Sequence, residues 1–396
     1  LTIFGCEKVA PDTYRWKTKS NFDLINKPIS NVTKPIQKNY IKSSYELSNF
    51  ELWFSSSDIY ENGNKYLTNN PLTDMQSTQL DLNQDGLEDV FSYDGYDLKI
   101  NPTPNPPPAI YYNSNGILDR KSYTGPPIKY PHGTKILLGD FNGDSLPDIF
   151  SMVAIDQPLI VKYPLLNENC HLIFNSKNGL SKVLEIDLQG FWYSGCSGDI
   201  DNDGDLDIIM FNMHQVPPIG NGVKNRILIN NGSGSFTQDT TILKEFLSVT
   251  ASELFDINKD GVLDLILNNK VNNQNELKIL LGNGKSFFAK NPYTIQLKDV
   301  GDVINLDFVN INNDSLFEII VFNYSNNMSI FKVQLFESIN NEFIDNTSKY
   351  FNDNLTKRFS NLRVQDIDKN GFVDLFSTNK MDNVRWEWDG NKFTKK

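Results

Sequence analysis

Cysteine and histidine are almost missing from this chain, at three of each in 396 residues. Three cysteines cannot build the disulfide framework of a small secreted scaffold. The only histidines are His132, His171 and His214, few candidates for acid–base work. No His-Glu-x-x-His segment, nucleophile elbow or phosphate-binding glycine loop occurs, so catalytic signals are poor and no catalytic residue is assigned. There is no basic run, and acidic residues outnumber basic ones 49 to 37, which sets nucleic acid aside as a partner. No apolar run approaches the ~18 residues of a membrane-spanning helix.

What the chain has instead is one short acidic loop, six times over. Numbered 1 to 9, it carries oxygen side chains at positions 1, 3, 5 and 9. The copies are Asp81, Asn83, Asp85 and Asp89; Asp140, Asn142, Asp144 and Asp148; Asp199, Asp201, Asp203 and Asp207; Asp256, Asn258, Asp260 and Asp264; a weaker set, Asn310, Asn312, Asp314 and Glu318; and Asp366, Asp368, Asn370 and Asp374. Their first positions lie 54 to 59 residues apart. A fixed period of this size marks a supersecondary unit that buries its core by stacking on its neighbours.

Hard oxygen ligands around a sharp turn suit Ca²⁺, which takes about 6–8 of them, better than Mg²⁺ with its strict octahedron. Position 6 is glycine or serine, and position 7 offers a backbone carbonyl. An EF-hand would need glutamate at position 12 and flanking helices. Position 12 here is Ser92, Ser151, Met210, Leu267, Val321 or Ser377, inside short apolar runs rich in β-branched and aromatic residues. Those runs read as strands, so the loop joins the strands of a hairpin. The ligand positions hold 18 carboxylates, against a net charge of −12. Crowded like charges disfavour folding without metal. The acidity therefore reads as a calcium requirement: about five sites, with the copy at Asn310 weak.

Each loop is followed by a second hairpin signature, at residues 110–116, 172–179, 227–236, 279–287, 333–343 and 384–393, and a seventh precedes the first loop at 50–63. Glycine and asparagine there serve the turns. A unit of four antiparallel strands is a propeller blade. The repeats thus predict an all-β, seven-bladed β-propeller over residues 40–396, overriding the two domains that length alone suggests. On these residues the chain resembles the FG-GAP/VCBS-repeat family, the calcium-loop propellers also found in the integrin α-subunit head. The resemblance implies the fold and the calcium sites. It leaves function open, because one fold hosts many tasks.

The opening Leu1-Thr-Ile3-Phe-Gly5-Cys6 resembles the end of a bacterial lipoprotein signal. It implies an exported protein at the cell surface or outer membrane, held only by a lipid on Cys6. Residues 1–39 are then signal remnant and tether. Cys170 and Cys196 become a candidate disulfide, with two buried thiols as the alternative.

Topology puts the calcium loops on one face. On the other, long connections gather at 94–109, 123–133, 155–168 and 213–224, rich in proline and aromatics, and the run Phe191-Trp192-Tyr193 falls in a further connection between two units. Long loops on a rigid scaffold commonly carry binding. The candidate contact residues are Tyr123, Tyr130, His132, Trp192, Tyr193 and His214, with His171 structural. The reading is a calcium-stabilised binding or accessory module for a protein or glycan at the cell surface, of which a subunit of an outer-membrane complex is one form. The alternative is a polysaccharide-lyase-like enzyme or lectin using the same face.

Overall fold

The structure is a computed structural model. It describes residues 6–10, 13–16, 59–61, 64–66, 76–80, 82, 83, 85, 89–93, 109–114, 117–122, 133–153, 169–176, 179–188, 190–212, 223–271, 274–285, 288, 289, 292–297, 301–309, 311, 316–324, 330–339, 342–356, 362–365, 372, 374–377 and 385–396.

The chain is all-β. Two short hairpins come first, β1 (Cys6–Ala10) with β2 (Thr13–Trp16) and β3 (Ile59–Glu61) with β4 (Asn64–Tyr66). Six antiparallel sheets follow, each built from four consecutive strands. The first is β5 (Gln76–Leu80), β6 (Asp89–Tyr93), β7 (Ala109–Ser114) and β8 (Ile117–Ser122). The second is β9 (Gly133–Gly139), β10 (Asp148–Val153), β11 (Cys170–Phe174) and β12 (Lys182–Ile186). The third is β13 (Trp192–Gly198), β14 (Asp207–Asn212), β15 (Arg226–Asn230) and β16 (Phe236–Asp239). The fourth is β17 (Ser252–Phe255), β18 (Asp264–Val271), β19 (Gln274–Leu280) and β20 (Tyr293–Leu297). The fifth is β21 (Val303–Val309), β22 (Glu318–Tyr324), β23 (Phe331–Ile339) and β24 (Glu342–Asp345); a short helix α1 (Thr347–Tyr350) then leads to β25 (Leu355–Thr356), which also pairs with β23. The sixth is β26 (Leu362–Gln365), β27 (Asp374–Ser377), β28 (Arg385–Trp388) and β29 (Phe393–Lys395).

Each acidic loop joins the first and second strands of its sheet, as the repeat pattern predicts. The second strands read as unbroken apolar runs because both their faces are covered. In β14, Ile208 and Met210 pack toward the second sheet with Phe150, Met152 and Leu172. Ile209 and Phe211 pack toward the fourth with Leu265 and Leu267. The same alternation builds a core between the fourth and fifth sheets around Phe255, Phe308 and Phe317, and one between the fifth and sixth around Phe322, Trp386 and Phe393. A smaller one between the first and second holds Leu82, Phe91, Ile149 and Ile173. Consecutive sheets therefore stack face to face, a propeller-like arrangement.

Three sequence expectations change here. Cys170 and Cys196 are both free, buried thiols. Cys170 lies in the core between the second and third sheets, and Cys196 in that between the third and fourth. Sheet three itself separates them, which rules out the candidate disulfide. The segment Phe191-Trp192-Tyr193, read as a connection, runs into strand β13. Part of the expected tether is the β1–β2 hairpin. Of the seventh hairpin signature, β3 and β4 flank Gly63, while 50–58 lie outside the described residues.

Candidate metal centre

The loops at 140–148, 199–207 and 256–264 are described in full, and they share one hydrogen-bond plan. The position-1 carboxylate caps the turn from inside. Asp140 accepts from the backbone N–H of Gly143 (2.7 Å), Asp144 (3.1 Å) and Ser145 (2.7 Å). Asp199 accepts from Asp203 (3.1 Å) and Gly204 (3.2 Å), and Asp256 from Asp260 (3.0 Å) and Gly261 (2.9 Å). Position 3 accepts from the position-5 N–H, and position 5 from the position-7 N–H, in all three loops. Successive short-range bonds of this kind wind the chain tightly and aim the carboxylates inward.

The winding requires positive φ at two positions, where the sequence signals only one. At position 6 it is 68° in Ser145, 99° in Gly204 and 86° in Gly261. At position 4 it is 78° in Gly143, 59° in Asn202 and 62° in Lys259. Lys259 thus occupies a region that L side chains rarely enter. Its ammonium sits 4.7 Å from the centre of the Phe317 ring.

Position 9 proves to be the most buried group in the loop. Asp148, Asp207, Asp264, Glu318 and Asp374 are all 0% exposed. One oxygen accepts from the position-2 N–H: Phe141, Ile200, Ile257 and Ile311 donate to Asp148, Asp207, Asp264 and Glu318 at 3.0, 3.0, 3.1 and 3.0 Å. In Asp148, Asp207, Asp264 and Asp374 a carboxylate oxygen takes the N–H at the far end of the third strand, from Asn175, Asn230, Gly282 and Trp388 at 2.9, 2.8, 2.9 and 2.9 Å. Position 9 is therefore a structural bracket between loop and sheet as well as a candidate ligand.

Burial, opposed by those N–H bonds and reinforced by the neighbouring carboxylates, pushes Asp148 and Asp207 up to about 8 and Asp264 to about 6. Burial likewise raises Asp140. A site that crowds carboxylates while resisting their charge is short of positive charge. Oxygen atoms of Asp199, Asp201 and Asp207 all lie within 4.8 Å of one another, so this trio can hold a metal ion. An all-oxygen donor set in a flexible loop fits calcium.

The other three loops are described in part. In the first, Asn83 and Asp85 bond to each other, Asp85 N–H to Asn83 at 3.0 Å and Asn83 Nδ2 to Asp85 at 3.1 Å. Asp81, Asp314, Asp366, Asp368 and Asn370 lie outside the described residues, and of Asp89 only its place in β6 is described.

Sequence reasoning missed two sets of residues. Asp205 at position 7 was read only as a backbone ligand. Burial raises its carboxyl first, then Asp203, Asp201 and, from the loop of the preceding sheet, Asp140. The second set is the asparagine that ends the third strand, read as a turn former. Asn175 Nδ2 donates across to the carbonyl of Leu82 in the preceding sheet's loop (2.9 Å). Asn230 Nδ2 donates to Phe141 of the loop before it (2.9 Å) and to Leu206 of its own (3.1 Å). The recurrence of Asn113, Asn175 and Asn230 at one place in the repeat was the available signal.

Of the candidate contact residues, Tyr123, Tyr130, His132 and His214 lie outside the described residues. His171 is buried in β11, as a structural residue would be. Trp192 corrects the reading: it is fully buried in the core, its Nε1 donating to the Leu188 carbonyl at 3.0 Å, so it is no surface contact. Tyr193 does reach the surface, at 45% exposure.

Residues 199–267 match the family model described as an FG-GAP-like repeat, a span holding the third and fourth acidic loops whole. No curated protein matches the chain. Among solved structures, a rhamnogalacturonan lyase of Bacillus licheniformis is similar at 11% identity and a TM-score of 0.25, over 81% of this chain and 57% of the lyase. The chain thus spans little more than half of that protein's length.

Proposed function

We propose that this chain, an FG-GAP-repeat protein at residues 199–267, is a calcium-stabilised binding module: a seven-bladed propeller that presents the face opposite its metal loops to a protein or glycan outside the cell. The observation that carries the reading is the shared cradle plan of three successive loops, with Asp199, Asp201 and Asp207 converging in the loop at 199–207. Positions 1, 3, 5 and 9 of each loop would hold the ion. Calcium would supply the positive charge that lets these carboxylates stay ionised side by side. The metal is structural in this reading, holding a rigid platform on which loops do the binding. Surface attachment through Cys6 belongs to the same proposal. No helix among the described residues is long and apolar enough to cross a membrane.

The test is metal content and melting temperature, measured on protein dialysed against calcium and then against chelator. About five bound Ca²⁺ and a large fall in melting temperature on chelation are expected, since an ion that binds only the folded state stabilises by mass action. An unchanged melting curve would remove the reading.

A further inference from the structure

We propose that Asn231 is a self-modifying site: the backbone nitrogen of Gly232 displaces its side-chain amide, and water then leaves aspartate or isoaspartate in its place. The site lies on the turn between β15 and β16 and is independent of what fills the metal loops. The chain holds several Asn-Gly pairs. Among those whose glycine is described, two leave the glycine nitrogen able to attack. Gly143 N–H is held by Asp140 (2.7 Å) and Gly179 N–H by the Ser176 carbonyl (2.8 Å). The N–H groups of Gly232 and Gly284 have no acceptor among the described residues. Both glycines sit at positive φ, 76° and 64°, with no side chain to shield the nitrogen.

What separates these two turns is the residue two places after the asparagine. In both, the asparagine Oδ1 accepts from a backbone N–H, that of Ser233 at 3.1 Å in one and that of Lys285 at 3.0 Å in the other. At Asn231 a hydroxyl joins it: Ser233 Oγ donates to the same oxygen at 2.6 Å. Lys285 has no hydroxyl to offer Asn283. Asn231 is also exposed, so water reaches it.

The chemistry follows from those contacts. Gly232 N gives its proton to water and bonds to Asn231 Cγ, and the Cγ–Oδ1 double bond opens to an oxyanion. That charge develops on the atom which Ser233 N–H and Oγ–H already hold, so two donors are in place to meet it. The oxyanion collapses, the Cγ–Nδ2 bond breaks, and the nitrogen leaves as ammonia with a proton taken from water. One water then opens the cyclic imide at either carbonyl. The balance is one water consumed and one ammonia released, with no oxidant or cofactor. The product is a new carboxylate where two acidic loops meet. A Cβ on Gly232 would stand 2.6 Å from Asp205 Oδ2, and one on Gly143 of the preceding loop would stand 3.4 Å from the Gly232 carbonyl oxygen.

The test ages the full chain in mildly alkaline buffer, once folded and once in denaturant. Trypsin then releases residues 227–244, which hold Asn231, and residues 279–285, which hold Asn283. Mass and fragmentation score the conversion of each asparagine. In the folded chain Asn231 should convert about tenfold faster than Asn283, less than the ~10²–10³ that an oxyanion donor contributes in a closed active site. In denaturant the two rates should converge. Ser233→Ala should bring the folded rate at Asn231 down to that of Asn283, and Ser233→Thr, which keeps the hydroxyl, should restore it. Ser233 is exposed, and an unchanged melting curve checks that both variants fold. Equal rates in the folded chain, a difference that persists in denaturant, or a Ser233→Ala variant as fast as the parent overturns the proposal.

Discussion

At the scale of single residues, position 9 separates what a bound metal would do from what the fold does without it. Asp203 at position 5 accepts one local N–H, from Asp205. Asp207 at position 9 brackets Ile200 to Asn230 from within the core. Asp203→Ala should therefore lower stability only when calcium is present, while Asp207→Ala should cost about 1–3 kcal/mol or more with or without it, because two buried N–H groups lose their acceptor. Denaturant unfolding of each variant, with calcium and with chelator, checks this. The raised carboxyls give a pH signature. Asp148 and Asp207 titrate near 8 when folded, and Asp264 near 6, against about 4 in an unfolded chain. The folded metal-free protein then binds more protons than the unfolded one between about pH 4 and pH 8. Its stability is fullest below that window and falls as pH rises through it. Melting in chelator should decline from pH 5 to 8, and calcium should remove the decline. The carboxylate clusters were legible because like charges recur at fixed spacing. The bracket was not, since its partner N–H groups lie 14 to 27 residues downstream.

At the scale of elements, the sheets interlock beside the loops. The last residue of a first strand faces position 8 of the next sheet's loop. A Cβ on Gly139 would stand 2.3 Å from Leu206 Cδ1, and one on Gly198 would stand 2.5 Å from Leu263 Cδ1. One interface later the fit is reversed in kind. Phe255 fills the position, stacking on Phe308 at 4.4 Å and meeting Phe317 edge-on at 4.8 Å. Gly198→Val should thus cost about 1–3 kcal/mol by overpacking, read as a lower denaturant midpoint at unchanged slope. Lys259→Gly should raise that midpoint, by up to ~1 kcal/mol, by removing a side chain from a left-handed position. Strand order within a sheet was readable because turn residues and apolar runs alternate locally. Trp192 was misread for the same reason: its neighbours are aromatic and polar like a surface loop, and only the sheet packed against it decides that it is core.

At the scale of the whole molecule, the repeat period made the architecture legible, and the face-to-face stacking of the six sheets of four or five strands among the described residues follows from it. What repetition hides is the wiring between units. The asparagines that an Asn-rich composition made unremarkable are buried ties: Asn230→Ala should cost about 1–3 kcal/mol and uncouple the second and third sheets, seen as faster hydrogen exchange in the 140–148 loop. That tie also has a direction. The donor always belongs to the later sheet and the acceptor to the earlier loop, 93 residues apart for Asn175 and Leu82 and 89 for Asn230 and Phe141. For a chain growing at roughly 5–20 residues per second, a loop that has left the ribosome waits about 5–20 seconds for the side chain that completes it. The nascent protein is finished only up to its last sheet but one, and its newest loop, with carboxylates crowded and unsupported, is always the one still waiting for its tie.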